Sequence, residues 1–145
     1  MAYWDWDESL EIGVPVIDMQ HRQIVDYINM LDDAMRSHDQ EEVRFVIEQL
    51  IEYTMNHFSF EETMMEHGNY PFIDTHKQVH VNFTKRIHNY HDRFKRGDDV
   101  TRALMGDLKV WLENHIKRDD LDYSPYVKNI GKGGWVSAAM KRFFG

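Results

Sequence analysis

The sequence predicts an all-α protein: an antiparallel, up-down-up-down four-helix bundle with an N-terminal arm and a short C-terminal helix. Three observations carry this expectation. Apolar residues recur at spacings of three and four through four long stretches. Only three prolines occur, Pro15, Pro71 and Pro125, each at an apparent boundary between stretches. The breaks are short turn signals, so consecutive helices must run antiparallel.

Residues 1–16, with Tyr3, Trp4, Trp6 and Val14-Pro15-Val16, hold no sustained period and read as an ordered arm whose aromatics close the bundle. From Ile17 a regular seam begins: Ile17, His21, Ile24, Ile28, Leu31 and Met35. After "SHDQEE", where Asp39 and Glu42 resemble a capping box, a second seam runs Val43, Ile47, Leu50, Thr54, His57, Glu61, Met64. "HGNYP" is a turn signal that places His67 in a turn, and the third helix starts near Pro71 to Asp74 with seam His76, His80, Phe83, Ile87, Tyr90, Phe94. Gly97-Asp98-Asp99 breaks that helix and caps a fourth, with seam Leu104, Leu108, Trp111, His115. The bundle with its arm is assigned to residues 1–130 and the tail to 131–145.

Composition removes several classes of function. The net charge is −8 and there is no long basic run, so a nucleic-acid partner is not expected. With no cysteine, disulfides, iron–sulfur clusters and thiolate zinc sites are excluded, and any metal must be held by nitrogen and oxygen. No run approaches the ~20 apolar residues that span a bilayer, and the acidic N-terminus has no signal-like apolar region; a soluble, cytoplasmic protein is expected.

Nine histidines are distributed informatively. A single histidine on an apolar face is more often a hydrogen-bonded core residue than a ligand, and His-x-x-x-acid pairs arise readily from this composition. Four such pairs begin at His38, His57, His88 and His115. His38 lies in a connecting turn, and His88 and His91 flank the third seam rather than joining it. The phase of the others is different in kind. His21 falls near the start of helix one, His57 and Glu61 near the end of helix two, His76 and His80 near the start of helix three, and His115 near the end of helix four. In an antiparallel bundle these positions share one end. Buried imidazoles and a carboxylate need partners, and a metal centre supplies them.

A seventh ligand is ambiguous from spacing. Asp119 lies at i+4 from His115, whereas Asp120 at i+5 is rotated about 140° off that face on an ideal helix. Asp120 joins the layer only if the helix ends or widens there. The sequence "HIKRDDLDYSP" favours an ending, with Asp119, Asp120 and Asp122 as loop formers and Pro125 just beyond.

The segments "VIDMQHRQIV", "HFSFEE", "HKQVH" and "HIKRDD", with Trp4, Trp6 and "GVPVID" before them, resemble the motifs of bacterial hemerythrins, a branch of the hemerythrin-like domain family, over about residues 3–126. The resemblance implies a non-haem di-iron centre in which His76, His80 and His115 bind one iron, His21 and His57 the other, and Glu61, Asp120 and a hydroxide or oxide bridge them. It also selects Asp120 over Asp119. On two six-coordinate irons this set leaves one position open, on the iron held by His21 and His57, for dioxygen. The implied function is reversible dioxygen binding, for storage or delivery to oxygen-consuming enzymes, with no catalytic residue and at most weak peroxidase or oxidase activity. Five neutral imidazoles against two carboxylates, without inward-facing Glu-x-x-His pairs, favour a carrier over a ferritin-like di-iron enzyme. Ile24, Phe58, Trp111 and Leu112, by the resemblance and by helical spacing, wall an oxygen pocket that excludes water.

Two other classes use the same ligands: a di-iron peroxidase or oxidase, and an oxygen-sensing module acting with a separate partner. Zinc or manganese also suits the donor set. In the tail, "GKGGWVSAAMKRFFG" carries +3, and Trp135, Val136, Ala139, Met140 and Phe143 share a helical face. A short helix folded against the bundle is favoured over one that docks to a partner or membrane surface.

Overall fold

The computed structural model describes residues 2–128 and 134–145, and among them every regular element is helical. Pro15 opens α1 (Pro15–Arg36) in its first turn, where the missing N–H has no helical partner to lose. Asp39 accepts a hydrogen bond from the Glu42 N–H at 3.2 Å and starts α2 (Gln40–His67), as the capping pattern predicts. His67 is thus the last residue of a helix rather than part of a turn. The chain then reverses through Asn69, at φ 56°, and Pro71 into α3 (Ile73–Lys95). The expected aspartate cap of α4 (Thr101–His115) is absent: Val100 occupies the cap position with no side-chain bond, and Asp98 faces Arg93 at 3.7 Å. Val100 is buried, so packing of its side chain sets where α4 begins.

Packing of α1 against α2 and α4, and of α3 against the same two helices, gives the antiparallel four-helix arrangement. Ile17, Ile24, Ile28, Leu31, Ile47, Leu50, Phe83, Ile87, Leu104 and Leu108 fill its core, which is what the seams encode. The arm is tied to α1 at two points. Asn29 accepts from the Trp4 N–H and donates to the Trp4 carbonyl, each at 2.9 Å. Asp18 accepts from the N–H groups of Ile12 and Gly13, at 2.9 and 3.2 Å.

The fourth helix does not end where the sequence suggested. After His115 the backbone widens into a π-helical segment, Ile116–Asp120, and continues into α5 (Leu121–Val127). Asp119, Asp120 and Asp122 are therefore helical, and Pro125 lies inside α5 rather than at a boundary. The carbonyl that Pro125 cannot satisfy, that of Leu121, accepts instead from the Ser124 hydroxyl at 2.8 Å. At the facing end of α2, Gly68 lets the Tyr126 carbonyl approach so closely that a Cβ there would lie 2.6 Å from its oxygen.

The C-terminal helix α6 (Gly134–Phe144) folds onto α2, burying Val136 and Ala139. Trp135 stacks on His67 at 4.0 Å between ring centres, and Phe144 packs against Tyr53 at 4.8 Å. The expected boundary at 130 and tail residues 131–133 lie outside the described residues. No helix among the described residues is long and apolar enough to cross a membrane.

Candidate metal centre

All seven residues singled out in the sequence, His21, His57, Glu61, His76, His80, His115 and Asp120, are buried at one end of the bundle. Their donor atoms form two groups that share both carboxylates: Glu61 and Asp120 with His76, His80 and His115, and the same two with His21 and His57. Asp120 straddles the halves. Its Oδ1 lies 3.1 Å from His115 Nε2 and 3.2 Å from His76 Nε2, and its Oδ2 lies 3.1 Å from His21 Nε2. Glu61 Oε1 sits 3.0 Å from His57 Nε2 and 3.5 Å from His80 Nε2.

The π segment explains why Asp120 is there. On a regular helix a residue five positions on would face away, but in an i→i+5 turn it returns to the same face. Both acids of "HIKRDD" consequently serve one imidazole: Asp120 faces His115 Nε2, and Asp119 accepts from His115 Nδ1 at 2.8 Å. Asp119 stays outside the cluster, which resolves the ambiguity of spacing. Glu62 accepts from His80 Nδ1 at 2.8 Å, Gln20 Oε1 accepts from His57 Nδ1 at 2.7 Å, and Tyr123 donates to Glu61 Oε2 at 2.5 Å. Of these four partners, only Asp119 was singled out from sequence, as a competing ligand at i+4 from His115 rather than as its orienting partner. Gln20 carries a usable signal, since it lies three residues after the seam position Ile17, and Tyr123 does so only once Asp120, three residues before it, is placed in the cluster. Glu62 does not.

The cluster cannot satisfy itself. His21 Nε2, His57 Nε2, His76 Nε2, Glu61 Oε1 and both Asp120 oxygens are buried without a hydrogen bond in acceptable geometry, although each lies within 3.2 Å of another atom of the cluster. His80 and His115 place their Nε2 atoms 3.1 Å apart while their Nδ1 protons go to carboxylates, so in the neutral rings two lone pairs face each other. Such an array needs a cation. In its absence a proton serves: burial lowers the basicity of His115, but Asp120 and then Asp119 outweigh it and push His115 up to about 10. Burial and the Asp120 charge act to raise Glu61, and His57 and His80 overcome them, holding it below the usual carboxylate range. Imidazole nitrogen and carboxylate oxygen fit iron, zinc or manganese by donor type.

Of the expected pocket residues, Ile24, Phe58 and Leu112 are buried and Trp111 is half-buried. Phe58 stacks on His80 at 4.1 Å and Trp111 on His115 at 4.4 Å, with Trp111 also stacked on Phe83. Both rings therefore stack on the three-histidine half, and Phe58 also lies 6.1 Å from the His57 ring of the other half.

Fold and site together define a helical-bundle protein with a buried imidazole–carboxylate metal pocket. Residues 12–127 match the family described as the hemerythrin HHE cation binding domain, and the chain belongs to the hemerythrin family. It is 44% identical to a bacteriohemerythrin of Pseudomonas paraeruginosa and 42% identical to one of Stenotrophomonas maltophilia, with both partners covered end to end. A myohemerythrin of Theromyzon tessulatum is 28% identical over 83% of this chain and 90% of its own. The crystal structure of a wild-type hemerythrin superposes with a TM-score of 0.82 at 28% identity, covering 88% of this chain and 99% of that one.

Proposed function

We propose that the chain binds dioxygen reversibly at a non-haem di-iron centre, for storage or delivery to oxygen-consuming enzymes. His76, His80 and His115 would hold one iron and His21 and His57 the other, with Glu61 and Asp120 shared between the two groups. The observation that carries this reading is the sharing of the two carboxylates between a group of three histidines and a group of two. When bound, a ferrous pair would supply two reducing equivalents for dioxygen, and the group with fewer histidines, His21 and His57, would leave room for it.

The protein's own part is to hold this asymmetry and keep it dry. Buried Ile24 and Leu112, with the rings of Phe58 and Trp111, surround the ligands with apolar surface. Exclusion of water disfavours escape of charged oxygen species, which supports binding over turnover. Tyr123 holds Glu61 Oε2 from the side away from His57, so the carboxylate is oriented before any metal arrives.

The test is to load the chain with ferrous iron without oxygen, admit oxygen, then remove it under argon. A charge-transfer colour that appears and fades over repeated cycles supports the carrier. Irreversible conversion to a diferric form, or turnover of peroxide with a reducing substrate far above the autoxidation rate, would favour an oxidase or peroxidase instead.

A further inference from the structure

The two halves of the centre are oriented by different means. In the three-histidine half, His80 and His115 each donate from Nδ1 to a carboxylate, Glu62 and Asp119. In the other half there is no such charge. His21 Nδ1 is buried without a partner among the described residues, and His57 Nδ1 meets the neutral amide of Gln20.

Gln20 is completely buried, and its other end reaches the C-terminal helix: Nε2 donates to the Met140 sulfur at 3.3 Å. A thioether accepts hydrogen bonds and never donates one, so it must take the N–H end of the amide. The carbonyl end then faces His57, which is obliged to carry its proton on Nδ1. That tautomer leaves the Nε2 lone pair aimed at Glu61 and the interior of the cluster. Met140 is placed by the rest of α6, which is anchored by Val136, Ala139, the Trp135–His67 stack and the Phe144–Tyr53 contact. Amide orientation, imidazole tautomer and ligand direction are thus set in sequence from a helix outside the four-helix bundle.

We infer that Gln20 is a positioning residue for His57 and that α6, through Met140, holds it, so that the C-terminal helix governs metal retention in the His21/His57 half. This rests on the di-iron reading above. It assigns to the tail a role in the site itself, and it makes the half that takes the ligand the more labile one.

The experiment follows iron release to a ferrous chelator from anoxic, iron-loaded protein. The wild-type chain is compared with Gln20→Leu, Gln20→Glu, Met140→Leu and Asp119→Asn. Met140→Leu conserves apolar volume and removes only the acceptor; Gln20→Glu keeps an acceptor towards His57. Two irons per chain leaving in two phases are expected of the wild type. Gln20→Leu is expected to speed the faster phase about 10-fold or more, the range seen when a ligand's orienting partner is lost. Met140→Leu speeds the same phase by a smaller factor, Gln20→Glu restores it, and Asp119→Asn speeds only the slower phase. Unchanged release in both Gln20→Leu and Met140→Leu, or equal acceleration of both irons without rescue by glutamate, would overturn the inference alone. A wild-type chain holding fewer than two irons would overturn the di-iron reading and the inference with it.

Discussion

Asp120 and His115 face each other at 3.1 Å although they are five positions apart, because the backbone between them is π-helical. Asp119, one residue earlier, takes the opposite nitrogen of the same ring. Asp120→Asn preserves shape and removes the charge shared by both halves, so it is expected to lower metal affinity at least 100-fold and to abolish the second equivalent. Asp119→Asn is expected to cost about 10–100-fold and leave the stoichiometry at two. Metal titration of the two variants checks the ranking; equal losses would mean that the π segment does not separate their roles.

Tyr123→Phe removes the one hydroxyl among the described residues that bonds Glu61 and leaves a buried carboxylate oxygen without its donor. A destabilisation of about 1–3 kcal/mol is expected in the metal-free chain. Differential scanning calorimetry of both forms reads it, and the deficit should shrink when metal is bound, since a cation compensates the same charge.

A metal entering this centre would compete with protons. His115 is raised to about 10 by Asp120 and Asp119 against the effect of burial, and His80 is raised by Glu61 and Glu62 against the same effect. In the metal-free fold the protonated His115 stabilises fully below its unfolded value near 6.5, and that contribution is lost as the pH rises through about 10. Asp120 is held well below the ordinary carboxylate range by its histidine neighbours, so its contribution is present above pH 3.8 and fades as the pH falls. Metal must displace the His115 proton, so apparent affinity is expected to rise with pH from 6 towards about 10, with at least one proton released per chain loaded. Titration in weakly buffered solution with pH-stat readout measures this. A flat pH dependence would contradict the protonated state of His115.

Gly68→Ala tests whether α5 is positioned by its contact with the end of α2. The added Cβ would meet the Tyr126 carbonyl oxygen at 2.6 Å, which forces backbone apart rather than bending a flexible side chain. The expected cost is about 1–3 kcal/mol of stability. Because Tyr123 and Asp120 ride on the same continuous helix, metal affinity should fall as well, although Gly68 touches no ligand. Gly134, with nothing among the described residues within 4 Å of its Cβ position, is the matched control.

Much of this architecture is legible in the one-dimensional pattern. The seams place Ile17 to Met35, Val43 to Met64, His76 to Phe94 and Leu104 to His115 on their helices, because burial on one face imposes the three-and-four spacing. End-of-helix positions of His21, His57, Glu61, His76, His80 and His115 then put six residues in one layer, where the structure finds them. What spacing does not reveal depends on departures from ideal geometry or on contacts between distant segments. The π turn at Ile116–Asp120 has no hydrophobic signature, so "DDLDYSP" looks like a loop when it is helix. Pro125 looks like a stop because nothing in the pattern shows that the Ser124 hydroxyl replaces the missing bond. Gln20 and Glu62 hydrogen-bond rings of the histidine cluster from positions the seams do not mark, and the Gln20–Met140 contact spans 120 residues.

The stoichiometry of oxygen uptake tests the di-iron carrier most directly. Iron per chain is measured on protein loaded without oxygen, and the same sample is titrated with dissolved oxygen while the charge-transfer band is recorded. Two shared carboxylates between unequal halves predict two irons per chain and one dioxygen bound per iron pair, fully recovered under argon. One iron per chain, one dioxygen per iron, or uptake that argon does not reverse would contradict it.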